Sequence, residues 1–240
     1  MSESHSERLD ARQLTADEIL SRVLYRDGLM LVIDKPAGLP VHRGPKGGAN
    51  LEASFDALRF GLPRPPVLAH RLDRDTSGCL VLGRHRKATA SLGLLFKHGR
   101  ISKTYWAVVE GGPAQDEGTI DIPLGRLNAE RGWWQKPDPE GQAAITKWRV
   151  MGRAEGLSWL ALEPVTGRTH QLRVHSAAMG WPIVGDNVYG NGPRFGEPSL
   201  QLHAREIVIP ISKNKPPVEV HAPAPAHLRQ RLQACGWNGE

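Results

Sequence analysis

His70-Arg71-Leu72-Asp73-Arg74-Asp75-Thr76-Ser77-Gly78 lies between two apolar runs, Val67-Leu68-Ala69 and Cys79-Leu80-Val81-Leu82. Each run reads as a buried strand, and a charged loop pinned between core strands is where a fixed scaffold places function. Asp73 is flanked by Arg71 and Arg74. A nearby cation favours an ionised carboxylate, which suits a nucleophile or a base and makes a poor general acid. Thr76-Ser77-Gly78 reads as a tight turn whose hydroxyls bond local backbone. Taken alone, the stretch fits a surface loop with compensating charges equally well.

Upstream, the spacing predicts a short helix over Thr15–Leu24 and a buried strand over Leu29–Ile33, stopped by Asp34-Lys35-Pro36-Ala37-Gly38. A Gly-rich basic loop, 43–50, and a short helix, Leu51–Phe60, follow. Downstream, Lys87–His98 has helical periodicity ended by Gly99, and Tyr105–Val109 reads as a strand. Strands are expected at Gly118–Ile122, Ala143–Val150, Leu157–Leu162, Leu200–His203, Glu206–Ile209 and Val218–His221. Helices are expected at Thr169–Met179 and His227–Cys235. There is no internal repeat and no βα alternation, so the class is α+β with a largely antiparallel sheet. Residues 1–14 read as a flexible tail, and 15–235 as one catalytic unit.

Composition narrows the partners. With 31 Lys+Arg against 25 Asp+Glu, the 240-residue chain has a net charge of +6 and a pI near 9.6. Such a balance favours a polyanion, because Lys and Arg release counterions from phosphates. Two distant cysteines, Cys79 and Cys235, argue against a disulfide framework or a thiolate zinc site. The polar start is no signal peptide, and no apolar run approaches the ~20 residues of a membrane span. The reducing cytoplasm is the expected compartment.

A second stretch with chemical potential is Thr166-Gly167-Arg168-Thr169-His170-Gln171-Leu172-Arg173-Val174-His175. If Thr169 onward is helical, His170 and Arg173 project from one face, suited to an anion such as a phosphate or Asp73. His170 and His175 are five apart, the wrong spacing for metal ligands on one helix face, so no metal is expected. In Ser102-Lys103-Thr104-Tyr105-Trp106, an aromatic beside a lysine could stack on a base, though core packing explains either aromatic as well. Trp133-Trp134, with Arg131 and Lys136, could touch nucleic acid or pack a hairpin.

Read in order, these stretches resemble the RluA family of RNA pseudouridine synthases. His70–Gly78 is similar to that family's signature loop. The resemblance continues through Lys35-Pro36-Ala37-Gly38, Lys103-Thr104-Tyr105, the 167–175 stretch, Gly185-Asp186 with Tyr189-Gly190, and Leu202-His203-Ala204. It implies the pseudouridine synthase fold, a long mixed and mainly antiparallel sheet with flanking helices and a central cleft. It implies Asp73 as the essential aspartate, Tyr105 as the residue stacking on the target uracil, and Arg173 as the partner of Asp73. Arg71 falls near the space vacated by an extruded base. His70, Arg74, Arg168, His170 and Lys35 are further expected RNA contacts, with Arg43, Lys46, Arg84 and Arg86 along an RNA track.

The resemblance also implies isomerisation of uridines in tRNA or 23S rRNA, read as a stem-loop, with no cofactor and no metal. Many relatives begin with an S4 domain, and the stretch before the first core motif is too short for one. A monomer is the default. Two rivals stand against this reading. One is a non-catalytic RNA-binding protein on the same scaffold; the other is a hydrolase using Asp73 and Asp75 as a carboxylate pair.

Overall fold

The computed structural model describes residues 12–44, 47–128, 134–194, 196–212 and 214–239. Helix α1 (Ala16–Leu20) leads into β1 (Val23–Arg26) and β2 (Met30–Lys35), then a 3-10 helix over Leu51–Leu58. Next come β3 (Val67–Leu68), β4 (Ser77–Gly83), α2 (Arg86–Lys97) and β5 (Ser102–Glu110). The chain continues through β6 (Glu117–Asp121), β7 (Leu124–Arg126), β8 (Gln135–Pro137), β9 (Ile145–Ala154) and β10 (Leu157–Pro164). It closes with α3 (Gln171–Ala178), β11 (Leu202–Ile209), β12 (Val218–His221) and α4 (Ala226–Ala234).

Among the described residues, ten strands form one sheet. Eight run in the order β1-β2-β4-β11-β5-β10-β9-β6, with β3 beside β4 and β12 beside β11. Every pairing in it is antiparallel except β4 with β11, where Ser77 meets His203 and Gly78 meets Ala204. The expected α+β class with a mixed, mainly antiparallel sheet is what the chain adopts. The parallel pair is the seam between two antiparallel halves. On one side Met30, Leu31, Ile33, Leu80 and Leu82 build a core. On the other, Ala107, Trp148, Leu160, Leu162 and Trp181 build a second. Helix α4 closes a third cluster by laying Leu228 and Leu232 against Trp106 and Trp159.

Several local expectations are corrected. The first helix ends at Leu20, because Val23–Arg26 pairs antiparallel with β2; β-branched and aromatic residues fit that pleated edge. Thr15 starts the helix with a capping box to Glu18. The two strands expected between 200 and 209 are one, broken in register between Ala204 and Glu206. The two-stranded β7–β8 hairpin had no periodic signal. The tail residues 1–11, and Lys46, Arg131 and Trp133, lie outside the described residues.

The seam depends on one glycine. Gly78 has φ +104°, and a Cβ there would sit 2.2 Å from the Ala204 carbonyl oxygen on β11. Gly78→Ala should therefore destabilise by about 2–3 kcal/mol, through strained backbone and a clash that neither strand can relieve. A urea midpoint close to wild type would contradict this account of the seam.

Candidate active site

Asp73 sits in the turn that feeds β4, and a buried cation fixes that turn. The Lys35 ammonium, fully buried, donates to the carbonyls of Pro36 (2.9 Å), Arg74 (2.7 Å) and Thr76 (2.9 Å). Thr76 N–H closes the turn on the Asp73 carbonyl at 3.3 Å. Burial lowers the Lys35 pKa to about 7, against the pull of Asp75 and Asp73. The expectation that Lys35 touches RNA is therefore wrong; no part of it reaches solvent, and all three of its protons have acceptors. Lys35→Met keeps the length but strands those carbonyls, and should cost about 2–3 kcal/mol in a urea melt. An unchanged midpoint would mean that the turn holds without the ammonium. Behind the turn, buried Ser77 Oγ lies 2.9 Å from His203 Nδ1 across the parallel pair.

Arg173 comes from the first turn of α3 and is 5% exposed. Its Nε and Nη2 donate to the two oxygens of Asp186, both at 2.8 Å. Its Nη1 lies 3.6 Å from Asp73 Oδ2. The expected Asp73–Arg173 pair is thus present but long. The bidentate bond, the stronger geometry, goes to Asp186. Asp186 is nearly fully buried and also accepts the backbone N–H groups of Val188 and Tyr189. In the sequence, Asp186 stands out only as part of the Gly185-Asp186 motif, with no role attached. A buried carboxylate needs a cation, and the burial that makes Asp186 the partner of Arg173 is set by the fold.

Helix α3 starts at Gln171, two residues later than expected, because His170 is in the left-handed region at φ 53°. Gln171 holds this entry. Its side chain accepts from Thr166 Oγ1 and Arg168 N–H, and donates to the Ile145 carbonyl and Thr146 Oγ1. His170 therefore does not project from a helix face beside Arg173. Its Nε2 lies 3.7 Å from the same Asp73 Oδ2, and its side chain is 7% exposed. Expected as an RNA contact, it reaches the Asp73 carboxylate as well. His175 engages Thr146 Oγ1 and the Ile122 carbonyl through its two ring nitrogens, leaving none for a metal.

Two cavities meet at Asp73. A smaller one, about 440 Å³, is lined by Tyr105, Lys103, Phe96 and Leu202; a larger one, about 1020 Å³, by Arg43, Arg74, Arg194 and Trp134. Arg71, Asp73, His170 and Arg173 line both. Burial first, then the Asp73 charge, raises the Tyr105 pKa, so the phenol keeps its proton. Asp73 and Tyr105 thus face one space, while about a third of the Asp73 side chain stays open to solvent.

The remaining predicted contacts divide. Arg71, Arg74 and Arg168 are exposed; Arg74 pairs with Asp75 at 3.0 Å, and Arg168 donates to the Ala143 carbonyl. His70 edges the smaller cavity but is no cation: its Nε2 accepts the Val81 N–H and its ring stacks on Phe96 at 4.3 Å. Burial, with Lys103 adding to it, lowers the His70 pKa to about 3. Arg84 is also lost from the expected RNA track, since its guanidinium binds the carbonyls of Asp27, Arg59 and Phe60.

Residues 29–178 match the protein family described as RNA pseudouridylate synthase. An uncharacterized RNA pseudouridine synthase of Zymomonas mobilis is 43% identical over 209 residues, covering 86% of this chain and 95% of that one. Ribosomal large subunit pseudouridine synthase C of Vibrio cholerae is 36% identical over 221 residues, covering 88% and 68%. Among solved structures, human RNA pseudouridylate synthase domain containing 4 superposes with a TM-score of 0.77 at 26% identity, covering 92% and 95%. On sequence, fold and family match together, this chain belongs to the RluA-type RNA pseudouridylate synthases and is an isomerase of that family.

Proposed function

We propose that the chain converts specific uridines of tRNA, 23S rRNA or both into pseudouridine, with Asp73 as the essential carboxylate. The N1–C1′ bond breaks, the freed base turns, and C5 joins C1′ while the C5 proton leaves and N1 gains one. Atoms and electrons are conserved, so the reaction calls for no redox partner. The observation that carries the reading is a single one: the Asp73 carboxylate opens onto a cavity shared with Tyr105 and Arg173. A carboxylate there can attack C6, attack C1′ or remove a sugar proton, and each route uses the charged form.

The target base has to leave its stack, at a cost of a few kcal/mol. Stacking on Tyr105, and Arg71 filling the gap left behind, offset that cost. The arginines of the larger cavity, Arg43, Arg74 and Arg194, suit the phosphates of a stem-loop read by shape. The Vibrio relative is named for the large ribosomal subunit, which favours the rRNA arm. We further propose a monomer working in the cytoplasm.

The test is to map pseudouridines in total RNA from cells with and without this protein. Sites missing only from the second, in tRNA or large-subunit rRNA, are the expected result. Identical maps, together with no product from purified protein on the same RNA, would overturn the proposal.

A further inference from the structure

His170, expected as an RNA contact, lines both cavities and also reaches Asp73. It stands just ahead of α3 in the left-handed conformation, with Nε2 toward Asp73 Oδ2 at 3.7 Å. Its Nδ1 lies 2.8 Å from the hydroxyl of Tyr189, and the two rings meet edge to face at 5.5 Å. That hydroxyl also accepts the backbone N–H of Gln135, the first residue of β8, at 3.0 Å. A chain of polar contacts therefore runs from the β7–β8 hairpin through Tyr189 and His170 to Asp73.

We infer that His170 is a positioning residue for Asp73, locked by Tyr189 in the neutral form that carries its proton on Nε2. A phenol that has accepted an N–H still has one proton to give, and a neutral imidazole has one nitrogen to receive it. With Nδ1 so occupied, the ring proton sits on Nε2 and points at the carboxylate. His170 and Arg173 both approach Oδ2, and between them they hold it so that Oδ1 takes the substrate. At 3.7 Å the contact is longer than a hydrogen bond, so His170 acts on Asp73 through the direction of its N–H dipole. The inference rests on Asp73 being the essential carboxylate, as proposed above.

The charges around the ring agree with a neutral imidazole. Burial, the largest influence, lowers the His170 pKa and Arg173 lowers it too, while Asp73, Asp186 and Asp75 raise it, with a net fall below the ordinary value. Tyr189 faces it with a pKa raised mainly by burial, so the phenol stays protonated. Were His170 to protonate, Nδ1 would become a donor, the Tyr189 bond that aims the ring would be lost, and a full positive charge would stand against Asp73 Oδ2 and weaken it as a nucleophile or base. Activity should therefore fall as pH drops through the lowered His170 pKa.

The test uses the full chain and RNA from cells lacking this protein, grown on uridine tritiated at C5. Tritium release reports the C5–C1′ bond; single-turnover rate and RNA affinity are read separately across pH. His170→Leu should lower the rate about 100-fold and RNA affinity far less, the size expected when a reacting group is misplaced. His170→Gln, whose amide can accept from Tyr189 and donate to Asp73, should recover most of that loss.

Tyr189→Phe keeps the ring and removes the donor that favours neutral His170, so the acid limb should move to higher pH. This arm carries the test if His170→Leu does not fold. A wild-type rate for His170→Leu, a loss confined to RNA affinity, or an unmoved acid limb in Tyr189→Phe would each overturn the inference. Wild-type protein that releases no tritium would overturn the proposed activity itself, and this inference with it.

Discussion

Asp73→Asn should abolish pseudouridine formation, lowering the rate roughly 10⁴-fold or more, as when a nucleophile or base is removed from a unit that works together. The substitution keeps shape and removes only charge and basicity, so a loss of that size reads on chemistry. Folding should survive. Arg173 keeps its two 2.8 Å bonds to Asp186, and the contacts of Asp73 with Arg173 and His170 are long and partly solvated. The expected result is an inactive protein with a wild-type urea midpoint.

Asp75→Asn is the control. Its carboxylate pairs with exposed Arg74, and it lines the larger cavity without Tyr105. Its activity should fall about tenfold at most, in the range of a lost surface contact. Equal damage at both positions would instead favour a carboxylate pair, the hydrolase arrangement raised by the sequence.

What was legible in the sequence follows from how local the causes are. The Asp73 loop stands out because charged residues interrupt two apolar runs, and strands β4 and β5 follow from their own composition. The α+β class follows from many short strands and few helices. What could not be read depends on partners distant in sequence. Lys35 looks like a surface cation in a Pro-Gly turn. Only the return of the chain at Arg74 and Thr76 makes it a buried clamp. His170 looks helical until Gln171, tied to Thr166, Arg168, Ile145 and Thr146, forces the turn ahead of α3. The β7–β8 hairpin is three residues on each side and partly exposed, so no alternation marks it. Asp186 is the most consequential omission, since a single buried carboxylate decides where the Arg173 guanidinium can point.

That omission gives the second large effect. Asp186→Ala removes the bidentate partner of a guanidinium that is 5% exposed, and it strands the N–H groups of Val188 and Tyr189. Breaking one side of a buried ion pair costs about 3–5 kcal/mol, because the remaining charge stays buried without its partner. Activity should drop as well, since Arg173 is then free to collapse onto Asp73 and occupy the carboxylate meant for substrate.

The pH dependence has a definite sign. Burial raises the Asp186 pKa, but the Arg173 bonds and charge and the two N–H groups lower it further, for a net fall below the ordinary carboxylate value. A depressed folded pKa gives stability that is fully present above the unfolded pKa and lost as pH falls through the folded one. The gap between wild type and Asp186→Ala should therefore be constant near neutrality and narrow below about pH 4, where carboxylates ordinarily titrate. Urea midpoints at both pH values measure it. Arg173→Met combined with Asp186→Ala separates the charge from the packing. If the uncompensated guanidinium is the cause, deleting it should return part of the lost stability, because two absent charges cost less than one left alone. A double variant no more stable than the single would place the loss in the stranded N–H groups and the cavity instead.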